Sequence, residues 1–206
     1  MRKDVMAGAA VGAALLGGAA FYYFRERSQD EPGFRPLETD GDHQIREYPA
    51  LTVAETVVNG PRRDALDQGH RILADYLAAR SRDGDEIPMM NPVIQDSGAP
   101  MASDPPLFDD DLEGAWRTRV VMPAPRDELP EPPAGVDLVE IPARKVAVVC
   151  FSGRWADSLL AEQEDRLRGW LAKRGVRAKG EPEYAFYNSP MIPGPLRRNE
   201  VWLALS

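Results

Sequence analysis

The sequence predicts an α+β domain that is built from two related halves and is preceded by an N-terminal membrane helix. Two observations predict the domain: one strand-like stretch occurs twice, and each copy is followed by residues with helical periodicity. A third observation, an uncharged run near the N-terminus, predicts the membrane helix. With 206 residues, the chain has room for one ordinary domain with a substantial core beside such a helix.

The repeated stretch covers residues 45–60, IREYPALTVAETVVNG, and its second copy covers residues 138–153, LVEIPARKVAVVCFSG. Each copy predicts a short strand, a Pro-Ala break, a longer strand and a glycine turn. The two copies share a proline and a glycine at equivalent positions. Backbone geometry restricts the choice of residue at such positions, so duplication is favoured over chance similarity. The matching pairs are Glu47/Glu140, Pro49/Pro142, Ala50/Ala143, Val53/Val146, Ala54/Ala147 and Gly60/Gly153.

Each half is predicted to continue as a helix and two strands. The first helix falls within residues 62–80 and the second within residues 154–174, both with leucines and aromatic residues at helical spacing. The halves then extend over about residues 44–122 and 137–205. A long acidic loop at residues 97–114 and a proline-rich segment at residues 123–135 interrupt the pattern.

The uncharged run covers residues 5–24 and is long enough to cross a bilayer as a helix. If this helix is not cleaved from the protein, residues 1–27 form a membrane anchor. The alternative is a cleaved signal peptide with Gly18 and Ala20 at the cleavage site. Residues 28–42, polar with two prolines, are predicted to be a tether, and residues 43–206 the folded domain. We expect a single-pass membrane protein whose domain is extracytoplasmic, or periplasmic in a bacterium.

Composition excludes several classes of function. The formal net charge of −8 argues against a nucleic-acid partner, because phosphate contacts require a basic surface. The single cysteine, Cys150, excludes an internal disulfide, and its apolar surroundings predict a buried thiol rather than a nucleophile. With two histidines in the chain, a metal site of several histidines is not expected.

No nucleophile elbow, phosphate-binding loop or metal-binding motif occurs in the sequence, which favours a protein that is not an enzyme. One enzymatic alternative uses Glu47 and Glu140. These residues occupy matching places in the two halves, so a pseudo-twofold axis could bring them together as paired carboxylates for acid–base chemistry.

Several segments together resemble the SOUL haem-binding protein family over residues 42–205. They are IREYPALTVAET, IPMMNPVIQ, VDLVEIPARKVAVVCFSGRW and, most specifically, FYNSPMIPGPLRRNEVWLAL. The resemblance implies a distorted antiparallel β-barrel of two βαββ-like halves with two flanking helices. Two departures concern function: Glu47 stands where some relatives have a histidine proposed as an axial ligand, and Met90-Asn91 replaces the usual Thr-Ala.

The resemblance also implies a haem or tetrapyrrole ligand, held in an apolar cleft beside the first helix and the loop between the last two strands. Iron-free porphyrin would bind in the same way. His70 is a candidate ligand for haem iron, while Arg62, Arg63 and Arg197 are candidate partners for the propionates. The apolar candidates are Leu66, Leu73 and Leu77 on the helix and Met191 and Ile192 on the loop.

The same residues have simpler explanations. Leucines at helical spacing usually belong to a core, and paired arginines often form structural ion pairs. The alternative function is a non-enzymatic binding module for another small amphipathic ligand or for a protein partner.

Overall fold

A computed structural model describes residues 29–98 and 114–206 of the chain. The predicted membrane segment and most of the acidic loop lie outside these residues. Across the described ranges, no helix is long and apolar enough to span a bilayer. The predicted anchor at residues 1–27 therefore stays a prediction.

The described residues form one antiparallel sheet of nine strands with two long helices. Three strands precede the first helix: β1 (Arg35–Asp40), β2 (His43–Tyr48) and β3 (Leu51–Asn59). The remaining elements are α1 (Arg62–Leu77), β4 (Val93–Ser97), β5 (Ala115–Val121), β6 (Asp137–Ile141), β7 (Arg144–Phe151), α2 (Asp157–Lys173), β8 (Ala178–Phe186) and β9 (Asn199–Leu205).

The strand order is symmetric between the two predicted halves. The order is β1-β2-β7-β9-β8-β4-β5-β3-β6. The counterparts in the two halves are β2 and β6, β3 and β7, β4 and β8, and β5 and β9. When β1 is left out and each strand is exchanged for its counterpart, the order read from the far end is the same. The short strand of each half pairs with the long strand of the other half, as β2 does with β7 and β6 with β3. The halves are therefore interlocked rather than side by side.

The matched prolines and glycines occupy equivalent places in the two halves. Pro49 lies in the two-residue break between β2 and β3, and Pro142 lies in the break between β6 and β7. Gly60 and Gly153 follow the long strands with φ angles of 124° and 134°. Side chains rarely tolerate such angles, so glycine is required at both turns.

The antiparallel sheet is open, whereas the family resemblance implies a distorted antiparallel β-barrel. Strands β1 and β6 form its two edges. The tether predicted for residues 28–42 is wrong in part, because Arg35–Asp40 pairs with β2 as strand β1. All residues of β1 are exposed and include a proline and three charges, which suits an edge strand that does not continue the pairing.

Hydrophobic residues are buried on both faces of the sheet. Helix α2 covers β7 and β9, where Ala147 and Val149 are fully buried. Val146 and Val148 point to the opposite face of β7 because side chains alternate along a strand, and they are fully buried as well. The sheet therefore curves around a second core on the face away from the helices.

Helix α1 ends with a residue that is unfavourable for its backbone conformation. Ala79 has a φ of 52°, whereas the corresponding residue after α2 is Gly175, with a φ of 67°. We expect Ala79→Gly to raise the free energy of unfolding by about 0.5–1 kcal/mol, because glycine adopts this left-handed conformation without a steric penalty. Urea unfolding measures the change.

Ala78→Gly is the matched control, since Ala78 has a φ of −80° and gains nothing from glycine. An Ala79→Gly variant that is no more stable than the Ala78→Gly variant would contradict this interpretation of the helix end.

Candidate functional site

A cleft of about 280 Å³ lies between the first half of α1, the start of β4 and the loop that follows β8. Two pieces of chain complete it: the segment that leads into β1, and Trp155 just before α2. The lining residues are Gln29, Leu66, Asp67, His70, Met89, Asn91, Val93, Trp155, Phe186, Tyr187, Asn188, Ser189 and Pro190.

The walls of the cleft are apolar and held by the core. Leu66, Val93 and Phe186 belong to the core between α1 and the sheet. The Trp155 ring packs against Phe186 with 4.9 Å between ring centroids, and its Nε1 donates a hydrogen bond of 2.8 Å to Asn199 Oδ1. The aromatic wall is therefore preformed.

His70 is half-buried at the edge of the cleft. Burial lowers the pKa of its imidazole, and the neighbouring carboxylate of Asp67 opposes this effect only in part. The imidazole is therefore neutral at neutral pH, which is the form that can donate a nitrogen lone pair to a metal.

Polar groups surround the mouth of the cleft and are fixed by the backbone. Asn91 donates its backbone N–H to Asp30 O at 2.9 Å, and Asn188 Oδ1 accepts from the backbone N–H of Arg198 at 2.7 Å. Ser189 Oγ accepts from the backbone N–H of Met191 at 3.1 Å. An apolar slot with a few placed polar groups at its rim is typical of sites for small amphipathic ligands.

The residues predicted on α1 divide between the cleft and the core. Leu66 and His70 line the cleft. Leu73 and Leu77 lie one to three turns further along the helix, where they are buried in the core and lie outside the lining of the cleft. Helical spacing placed all four on one face, but it could not show where along that face the cleft ends.

The predicted arginines have other partners. Arg62 is buried, donates to Gln95 Oε1 at 3.1 Å and to Trp155 O at 2.6 Å, and forms an ion pair with Asp157. Its guanidinium thus joins the starts of the two helices. Arg63 is exposed on α1.

Arg197 is engaged with its own loop. It donates to Ile192 O and to Pro190 O, both at 2.6 Å, and its guanidinium lies 5.1 Å from the Trp155 ring centre. In the same loop Met191 points to solvent while Ile192 is buried. Arg197 therefore shapes the loop that forms one wall of the cleft.

Several lining residues were missed at the sequence level. Trp155 and Phe186 lie in motifs that carried the family resemblance, but nothing in their spacing placed them opposite α1. Met89 precedes the Met90-Asn91 departure noted above. The pairing of β4 with β8 places Val93 opposite Phe186, and the Trp155 ring packs against Phe186.

The face of the sheet away from the helices carries a buried polar network. Glu200 is fully buried and accepts from Arg46, Tyr187, Trp202 and Arg198 at 2.7–3.1 Å. Cys150 Sγ lies 3.3 Å from Glu200 Oε1, and burial raises the pKa of this thiol to about 12. The thiol is thus protonated rather than nucleophilic, although Cys150 is half-buried rather than fully buried as the sequence predicted.

The two glutamates of the enzymatic alternative lie outside the lining of the cleft. Glu47 lies on β2 and pairs with Arg35, while Glu140 lies on the edge strand β6, opposite Thr52 of β3. Across residues 29–98 and 114–206, no group of three or more His, Cys, Asp or Glu residues could hold a metal ion.

Comparison with known families identifies the class of protein. Residues 29–204 match the model of the SOUL heme-binding protein family, and the chain belongs to this family. No curated protein sequence matches the chain.

Solved structures with the same fold share little sequence with the chain. The C-terminal domain of EcmrR has a TM-score of 0.58 at 12% identity, covering 80% of this chain and 96% of that domain. An uncharacterised conserved protein from Listeria innocua has a TM-score of 0.54 at 12% identity, covering 80% and 92%. A hydrolase from Listeria innocua has a TM-score of 0.54 at 9% identity, covering 82% and 94%. At these identities the similarity concerns the fold alone.

Proposed function

We propose that the protein binds a tetrapyrrole, either haem or iron-free porphyrin, in the cleft between α1 and the β8–β9 loop, and that it is not an enzyme. The observation that carries the proposal is the position of the cleft in a SOUL-family domain. Its preformed apolar walls suit a planar aromatic ligand, and its neutral histidine could in addition ligate haem iron.

The size of the cleft supports partial enclosure of the ligand. At about 280 Å³ it is near the lower end of the volumes typical of ligand sites, roughly 300–1,000 Å³. We therefore place one edge of the macrocycle between Leu66 and Trp155, with the remainder against the mouth. Because Arg62 and Arg197 are engaged in internal hydrogen bonds, the propionates are placed toward solvent rather than in an arginine clamp.

Affinity should come mainly from burial of the porphyrin face, at about 25 cal/mol per Å² before the costs of ordering. The His70 imidazole could ligate haem iron, and the haem would supply Lewis-acid and redox chemistry when bound. We assign His70 an auxiliary role, because burial of the macrocycle supplies most of the affinity. Glu47, which stands on β2 where some relatives have a histidine, pairs with Arg35 and lies outside the lining of this cleft, so it supplies no iron ligand there.

The test is an absorbance titration of the full-length chain with haemin and with iron-free protoporphyrin. The same solution without protein serves as the blank. We expect one-to-one binding of both ligands. His70→Ala should weaken haemin by less than about fivefold, which corresponds to under about 1 kcal/mol, and should leave the porphyrin affinity unchanged.

If His70→Ala abolished the Soret shift of haemin while the variant kept its circular dichroism spectrum, iron ligation would dominate binding and this account of the site would fail. Absence of binding for both ligands would favour the alternative module for another amphipathic ligand.

We also propose that residues 5–24 tether the domain to a membrane. The support is the uncharged sequence, which matches the thickness of a bilayer core.

A further inference from the structure

The loop between β8 and β9, residues 187–198, exposes apolar side chains beside the mouth of the cleft. Met191 is 69% exposed and Leu196 is 54% exposed, the highest values among the large hydrophobic residues of the described chain. Ser189 and Pro190, immediately before Met191, line the cleft. The exposed apolar side chains and the cleft mouth therefore belong to one surface.

The loop holds this conformation through internal contacts. The two hydrogen bonds from Arg197 to loop carbonyls and the buried side chain of Ile192 fix its base. Gly153 N donates to Gly194 O at 3.0 Å, which ties the loop to the end of β7. The exposure of Met191 is thus a consequence of a pinned backbone, and Leu196 exposes a second large apolar side chain on the same loop.

The chain enters the domain at the same surface. Gln29 lines the cleft, Asp30 is held by Asn91, and Glu31 forms an ion pair of 2.8 Å with Arg198 of the loop. Phe24, the last residue of the uncharged run, precedes Gln29 by five residues, which span at most about 18 Å. A membrane anchor at residues 5–24 would therefore leave the cleft mouth close to the bilayer.

We propose that the β8–β9 loop rests on the lipid bilayer with Met191 and Leu196 in the interface, so that the cleft takes its amphipathic ligand directly from the membrane. The identity of that ligand rests on the proposed tetrapyrrole function, whereas the membrane contact rests on the proposed anchor at residues 5–24. Arg154 is exposed and lies against Gly194 of the loop, which places a cation beside the apolar tip at the level of phosphate headgroups.

The experiment uses the full-length chain in vesicles of phosphatidylcholine and phosphatidylglycerol, with or without brominated acyl chains. Met191→Cys, Leu196→Cys and Val57→Cys each carry an environment-sensitive fluorophore. Val57 is the matched control, since it is 51% exposed and lies on β3, three strands from β8. Cys150, with its raised thiol pKa of about 12, adds little labelling, and the unsubstituted chain measures that background.

Labels at 191 and 196 should lose about half of their fluorescence or more in brominated vesicles, because interfacial groups lie within about 5–10 Å of the acyl chains. The label at 57 should be unaffected. Equal quenching at all three sites, no quenching at 191 and 196, or a chain that does not float with the vesicles would overturn the proposal. If the fluorescence of the labels at 191 and 196 changed with protein concentration and not with lipid, the loop would contact a second copy of the chain. That result would also overturn the proposal.

A porphyrin titration of the same samples separates the two proposals. Quenching without porphyrin binding would leave the membrane surface in place and remove the proposed ligand. Porphyrin binding without quenching would keep the ligand and remove the membrane surface.

Discussion

Arg46→Met is expected to lower the free energy of unfolding by about 3 kcal/mol. Arg46 is 2% exposed and donates two hydrogen bonds, of 2.9 and 3.0 Å, to the fully buried Glu200. Burial alone would raise the pKa of Glu200, but Arg46 and Arg198 outweigh burial and hold that pKa below its usual value. Without Arg46 the carboxylate stays buried with Arg198 as its remaining cation, so the cost falls at the lower end of the range for broken buried pairs.

Arg35→Met is the matched control on the neighbouring strand. Arg35 also pairs with a glutamate, but it is 69% exposed, so its loss should cost less than about 1 kcal/mol. Urea unfolding of both variants measures the difference. Adding Glu200→Gln to Arg46→Met should recover part of the loss, because the unpaired charge is then removed. Equal costs for the two arginines would show that the buried pair contributes no more than a surface pair.

Met89→Asp is expected to weaken haemin and porphyrin binding by at least about tenfold, or about 1.4 kcal/mol. Met89 is half-buried and lines the cleft, so an aspartate there places a charge where the macrocycle would be buried. The same change would also repel the propionates. Absorbance titration measures both affinities, and circular dichroism checks that the variant is folded.

Met191→Asp is the control for this substitution, since Met191 is exposed and lies outside the lining of the cleft. In detergent solution its ligand affinities should fall by much less than those of Met89→Asp, because its charge lies outside the surface that buries the macrocycle. If Met191→Asp weakened binding and Met89→Asp did not, the ligand would sit on the loop tip rather than in the cleft.

Much of the fold was predictable because the repeated sequence marks positions where backbone geometry restricts the choice of residue. The prolines and glycines that match between the copies occupy equivalent breaks and turns, and apolar periodicity found both helices. Strand β1 escaped prediction because all of its residues are exposed, so it shows no alternation between buried and exposed positions. Because the hydrophobic pattern did not reveal this edge strand, the sequence did not indicate that the sheet is open.

The candidate site was predictable only where one element supplies the residues. Leu66 and His70 follow from the helix, but Leu73 and Leu77 differ from them only in distance along it. The roles of Arg62 and Arg197 depend on carbonyl groups from other segments. Backbone partners of this kind leave no signal in residue type or spacing, so a structural arginine and a ligand-binding arginine look alike in sequence.

The most direct test of the central claim maps the bound ligand onto the chain. Amide chemical shifts of the isotope-labelled full-length chain are recorded during titration with iron-free protoporphyrin, which is diamagnetic. We expect the largest shifts in residues 66–70, 89–93 and 186–190, which border the cleft. Shifts centred instead on residues 33–35, 47–49 and 143–145, which line a separate surface groove, would contradict the assignment of the tetrapyrrole to this cleft.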